Sequence, residues 1–128
     1  MKILVGMSGG VDSTTVALLL KEQGHEVMGA TMKIWSDEMH SRLAPSFKQH
    51  GCKDACYGPN EKEDIEKARQ LAEKIGIPYH VFDCSKEYEK IVLENFKEQY
   101  LSGRTPNPCV RCNSLIKFDV LPFALSLP

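Results

Sequence analysis

The chain has 128 residues, 42% apolar and 26% charged, the size and composition of one soluble globular domain able to bury its own core. A formal net charge of −1 excludes wholesale electrostatic capture of nucleic acid, so any RNA contact must come from a local patch. No apolar run approaches a membrane span, and Met1–Met7 is too short for a signal-peptide core; no membrane partner and a cytoplasmic location are predicted.

Ile3–Met7 is a short continuous apolar run closed by Ser8-Gly9-Gly10, the pattern of a buried parallel strand. A helix is predicted over Thr14–Gln23 with Gly24 at its C′ position, then a second strand over Glu26–Ile34. Residues 36–60, with Pro45, Gly51, Gly58 and Pro59, read as a long flexible loop, a length at which loops are usually functional or mobile. Asn60 is placed as an N-cap, with Glu63 completing a capping box. Ile65, Ala68, Leu71, Ala72 and Ile75 form a helical stripe that Gly76 and Pro78 end. Tyr79–Cys84 reads as a third strand. Ser85 is placed as the cap of a helix whose apolar face is Tyr88, Ile91, Val92, Phe96 and Tyr100.

This alternation predicts an α/β fold, a parallel twisted sheet with flanking helices and right-handed crossovers. Ligands of such sheets bind beyond the carboxyl ends of the strands. That rim takes the loop after strand one, the end of strand two and the loop near residue 105. Phe118–Pro128 is apolar, interrupted by Pro122, and returns no strand. Residues 1–128 are therefore expected to be one domain truncated from a longer chain.

Ser8-Gly9-Gly10-Val11-Asp12-Ser13 follows a strand and opens a helix. Glycines let the backbone approach a ligand closely, and the amides and dipole of a helix start favour an anion. The Ser8 and Ser13 hydroxyls can add donors. Asp12 either orients the loop or approaches Mg²⁺, or is simply a favourable first-turn carboxylate. No Lys follows the glycines, so this is not the common Gly-Lys-Ser/Thr nucleotide loop. The string is identical to the PP-loop of the ATP pyrophosphatases, which it resembles at every position. The resemblance implies a Rossmann-like fold, like that of the adenine nucleotide alpha hydrolases, and cleavage of ATP between its α and β phosphates with Mg²⁺ present.

A more specific resemblance begins at Gly103-Arg104-Thr105-Pro106-Asn107-Pro108-Cys109-Val110-Arg111-Cys112-Asn113, followed by Ile116-Lys117-Phe118. This stretch is similar to the tRNA-specific 2-thiouridylases, transferases that modify the wobble uridine of certain tRNAs. Gly6-Met7 with the glycine loop matches their ATP site, Gly6, Met7, Ser8, Gly9, Gly10, Val11, Asp12 and Ser13. Met32-Lys33-Ile34-Trp35 resembles their strand-two end, where the Met32 backbone would contact adenine. The resemblance implies ATP-dependent sulfur transfer to C2 of the uridine through an adenylated intermediate, with tRNA and a persulfide-carrying sulfur-donor protein as partners. It makes 102–113 the catalytic loop, Cys112 the catalytic cysteine, and Asn107, Pro108 and Cys109 the segment that meets the target base. Many members carry Asp where this chain has Cys109, and the family's second cysteine falls beyond residue 128.

The residues by themselves agree in part. Gln99–Phe118 holds Arg104, Arg111 and Lys117 and no carboxylate, a local basic patch able to meet phosphate. A cysteine near cations gains thiolate. Cys109 and Cys112 also suit a metal or iron–sulfur site with a third ligand expected from beyond residue 128, or are ordinary thiols in a rigid loop. Cys52 and Cys56 read as free thiols, His40 and His50 as solvated, and Cys84 as a buried core thiol. Two other functions stay open: another PP-loop activity, such as amidotransfer or 7-deazaguanine synthesis, and a nucleotide-binding module without full activity.

Overall fold

The computed structural model describes residues 1–39, 41–42 and 60–120. Within it the chain groups into two compact units, Met1–Val81 and the residues from Phe82 on.

The first unit is built on β1 (Lys2–Gly6), α1 (Val11–Glu22), β2 (Glu26–Lys33), α2 (Glu61–Ile75) and the start of β3 (Tyr79–Asp83). The strands are parallel and lie in the order β1-β2-β3. Ile3 pairs with Val27 and Gly6 with Ala30, so β1 and β2 end on one rim. This is the predicted Rossmann-like, PP-loop architecture, with a helix after each of the first two strands. Val5, Met7 and Val27 from the sheet pack with Ala17 of α1 and Ala68 and Ala72 of α2. The three alanines are fully buried, and their short side chains let both helices close on the sheet.

Helix starts differ in detail from the sequence reading. α1 begins at Val11, three residues early, because extended Gly10 is its N-cap (φ −89°, ψ 171°). A glycine cap leaves no side-chain signal to read. At α2 the capping box does not form: Asn60 is the N-cap but makes no side-chain bond. The work passes to Glu61, whose carboxylate accepts from Ile34 N at 2.6 Å and from Trp35 N at 3.3 Å, tying the head of α2 to the end of β2. Gly76 ends α2 at φ +74° as expected, and Lys21 of α1 donates to the Gly76 carbonyl at 3.0 Å.

The predicted 36–60 loop opens with a helical turn at 37–39, where Ser36 Oγ accepts from Met39 N at 3.1 Å. The remainder of that expectation, with Cys52, Cys56, His40 and His50, lies outside the described residues, as does the end of the chain from 121.

The second unit contains α3 (Ser85–Tyr88), a π-helical segment Glu89–Leu93, α4 (Glu94–Leu101), α5 (Pro108–Cys112) and a second π-helical segment Asn113–Val120. Ser85 is not the cap; it is the first helical residue, and its N–H and hydroxyl both donate to Asp83 Oδ1, at 3.0 and 2.6 Å. Tyr88 and Val92 are buried as predicted, but Phe96 and Tyr100 are exposed and stack on each other, centroids 6.2 Å apart. The wider π turn over Glu89–Leu93 puts the following residues out of phase with the stripe.

Candidate nucleotide loop and cysteine helix

The first site lies in the first unit, at the carboxyl end of β1. Gly9 has φ +79°, and a Cβ there would lie 2.8 Å from the Asp64 carbonyl oxygen and 3.3 Å from Lys67 Cβ. The loop therefore passes against the backbone of α2, a close approach open only to glycine. Gly10 has ordinary φ, and a Cβ on it would meet only Ser8 Oγ, at 3.4 Å. No side chain caps α1, so the first-turn amides of Val11, Asp12 and Ser13 are left without a side-chain partner among the described residues. Ser8 N reaches Ser13 Oγ at 3.4 Å, Ser13 Oγ reaches the Gly10 carbonyl at 3.4 Å, and Thr14 Oγ1 donates to that carbonyl at 2.7 Å. Ser8, Gly10, Val11 and Asp12 are exposed. An exposed, uncapped helix start behind a glycine turn fits a polyphosphate.

Met7 is buried, and its N–H donates to the Ala30 carbonyl at 2.8 Å. Its own carbonyl accepts from Thr31 Oγ1, which accepts in turn from Tyr79 OH at 2.7 Å. This chain of bonds fixes the loop's entry to β2 and to the start of β3. A Cβ at Gly29 would meet Met7 Sδ at 2.7 Å and Tyr79 Cδ2 at 3.2 Å. Thr31, Tyr79, Gly29 and Glu61 escaped the sequence reading; the one local signal was a glycine inside a strand. Met32 is half-buried near the end of β2, and Gly6 ends β1, exposed.

The second site lies in the second unit. The expected catalytic loop 102–113 is a loop only to Asn107; from Pro108 it is helix. Asn107 caps α5, its Oδ1 accepting from Cys109 N at 3.1 Å and Val110 N at 3.3 Å, with Pro108 at the first helical position. Asn107→Ala should thus cost about 1 kcal/mol of stability and speed hydrogen exchange at the Cys109 and Val110 amides. Asn107→Asp should restore both; equal exchange in wild type and Asn107→Ala would remove the cap from the account.

Cys109 is exposed, whereas Cys112, at the end of α5, is buried. The order of exposure is the reverse of the roles carried over by resemblance, in which Cys112 attacks. Of the cations near Cys112 in sequence, Arg111 donates from Nε to the Ile91 carbonyl at 2.7 Å, and Arg104 reaches Gln99 Oε1 at 3.3 Å. Among the described residues no group of three or more His, Cys, Asp or Glu is assembled to hold a metal ion. Cys84, buried as predicted, has its thiol pushed up to about 11, by burial first, then by the charges of Glu87, Asp83 and Cys112. Its folded pKa lies above the ordinary 9.0, so the stability held by the neutral thiol is complete below pH 9 and lost as pH rises through about 11. Iodoacetamide at neutral pH should label Cys109 roughly tenfold faster than Cys84 or Cys112 by peptide mass mapping. Equal rates would show that the burial does not persist in solution.

The family model of the tRNA methyl transferase HUP domain matches residues 1–126. The chain is 54% identical over 125 residues to the tRNA-specific 2-thiouridylase MnmA of Endomicrobium trichonymphae, covering 98% of this chain and 33% of that protein. It is 46% identical over 120 residues to the protein of that name from Geobacter metallireducens, covering 94% of this chain and 30% of the relative. The Acetivibrio thermocellus protein of that name is 46% identical over 128 residues, with 98% and 33% covered. The chain thus spans about a third of the length of these curated relatives. Among the described residues no helix is long and apolar enough to cross a membrane.

Proposed function

The chain belongs to the tRNA methyl transferase HUP domain family, and from that premise we propose that it is the ATP-binding part of a tRNA-uridine 2-sulfurtransferase. The observation that carries the reading is the exposed, uncapped start of α1 behind the Gly9-Gly10 turn, in a chain whose relatives bear the name 2-thiouridylase.

In this reading the first-turn amides of α1 hold the phosphates of ATP, with the helix dipole adding to their attraction. Ser13 braces the loop from within, and the backbone of Met32 meets the adenine. Mg²⁺, when bound, would offset phosphate charge, and Asp12, exposed in the first turn of α1, would approach it. The uridine O2 attacks the α phosphate and pyrophosphate leaves. The resulting adenylate makes C2 electrophilic. The terminal sulfur of a persulfide on Cys112 bonds to C2, and AMP departs with the former O2. A second thiol then cleaves the S–S bond, freeing 2-thiouridine and leaving a disulfide for a cellular thiol to reduce. The partners are tRNA and a persulfide-donating protein, and the setting is the cytoplasm.

The test has two parts. Calorimetry should show ATP binding to the chain. Nucleoside mass spectrometry should show no repeated formation of 2-thiouridine by residues 1–128 alone with tRNA and a persulfide donor, and formation in the whole protein that carries them. ATP binding without 2-thiouridine in either case would favour another PP-loop activity or a plain nucleotide-binding module.

A further inference from the structure

β2 runs past its neighbour β1. The last β1–β2 pair is Gly6 with Ala30, whereas β2 continues to Lys33. Met32 therefore lies beyond that ladder, on the rim where ligands of parallel sheets bind. Ile34 and Trp35 follow it and are buried, and buried backbone amides must find acceptors. Here the acceptor is a side chain from far along the sequence. The Glu61 carboxylate takes Ile34 N at 2.6 Å through Oε1, and Trp35 N at 3.3 Å through both oxygens. Glu61 is the first residue of α2 and is half-buried. A carboxylate shared by adjacent amides is a charge-assisted clamp, stronger than neutral hydrogen bonds.

The same helix meets the glycine loop in another way. There it is the backbone of α2, at the Asp64 carbonyl, that lies against Gly9. One helix thus supports the loop with its main chain and the strand end with one side chain. A change at Glu61 can release the strand end and leave the loop in place. That separation bears on base recognition. Adenine has an amino donor where guanine has a carbonyl acceptor. A main-chain N–H or carbonyl tells them apart only when its height and angle are fixed, because hydrogen bonds weaken steeply off line.

We propose that Glu61 is a positioning residue for base recognition: by holding the Ile34 and Trp35 amides it fixes the backbone that follows Met32 and makes the site prefer adenine to guanine nucleotides. The proposal rests on the reading that this chain binds ATP with the Met32 backbone at the base. Glu61 itself does not touch the nucleotide; it acts through the main chain of residues 32–35.

The experiment titrates the chain with ATP, GTP and pyrophosphate in the presence of Mg²⁺, by calorimetry and by the emission of Trp35, the chain's single tryptophan. Wild type should bind ATP at least about tenfold more tightly than GTP and change its Trp35 emission with ATP but not with pyrophosphate. Glu61→Ala should weaken ATP about tenfold, the loss of charged hydrogen bonds, and bring the ATP and GTP affinities together. Pyrophosphate affinity should stay within about twofold, since the loop is a separate contact. Glu61→Gln, which keeps an acceptor oxygen of the same reach, should recover part of the ATP preference, and it carries the test if thermal melts show Glu61→Ala unfolded. Equal weakening of ATP and pyrophosphate would make Glu61 a general brace of the fold and overturn the proposal. An unchanged preference for ATP over GTP in both variants would overturn it and leave the ATP reading standing. Wild type that binds neither ATP nor pyrophosphate would remove the ATP reading itself, and the proposal with it.

Discussion

Gly9→Ala is expected to destabilise the chain by about 2–4 kcal/mol, the sum of a left-handed backbone penalty and an overpacked contact, and to remove measurable ATP binding. The new Cβ would sit at φ +79°, 2.8 Å from the Asp64 carbonyl oxygen. Neither atom belongs to a flexible side-chain end, so either the loop or α2 must move. Gly10→Val separates binding from folding. Its backbone is already extended and its nearest neighbour is the Ser8 hydroxyl at 3.4 Å, so the variant should fold with a midpoint near that of wild type. Its side chain would still crowd the phosphate position and lower ATP affinity at least about tenfold. Calorimetry and thermal melts on both variants check this. ATP affinity in Gly10→Val equal to wild type would place the nucleotide elsewhere.

Cys112→Ser is expected to reduce tRNA thiolation by the protein that carries this chain by roughly a thousandfold or more, since a hydroxyl cannot carry persulfide sulfur. Cys109→Asp should stay active within about tenfold, aerobically and without iron, as Asp is the residue many members of the resembled family carry there. An iron–sulfur mechanism predicts instead anaerobic iron dependence and a visible absorption band lost with either cysteine. Nucleoside analysis and absorption spectra of the two variants decide the matter, and full activity of Cys112→Ser would refute both mechanisms. Because Cys112 is buried and Cys109 exposed, a result in which Cys109→Ser alone abolishes thiolation would exchange their roles.

Much of this was legible from local pattern. The apolar run Ile3–Val5, the stripe Ala68–Ala72 and the glycines at 24 and 76 encode strand, helix face and helix end within a few residues of themselves. The exposed glycine loop could be placed at the rim because a strand before it and a helix after it leave one topology. The two long-range supports of that loop could not be read in this way. Gly9 is required by a carbonyl of residue 64, and the Met7 carbonyl is held through Thr31 by Tyr79, partners that only the packing of α2 and β3 brings near. Likewise, spacing marked Phe96 and Tyr100 as core, but the π turn Glu89–Leu93 changed their phase. The sequence by itself determined the kind of fold, the glycine loop and the identity of the two cysteines in α5. Tertiary structure decided which cysteine is covered and which glycine tolerates no side chain, because burial and close approach belong to contacts between distant residues and not to spacing along the chain.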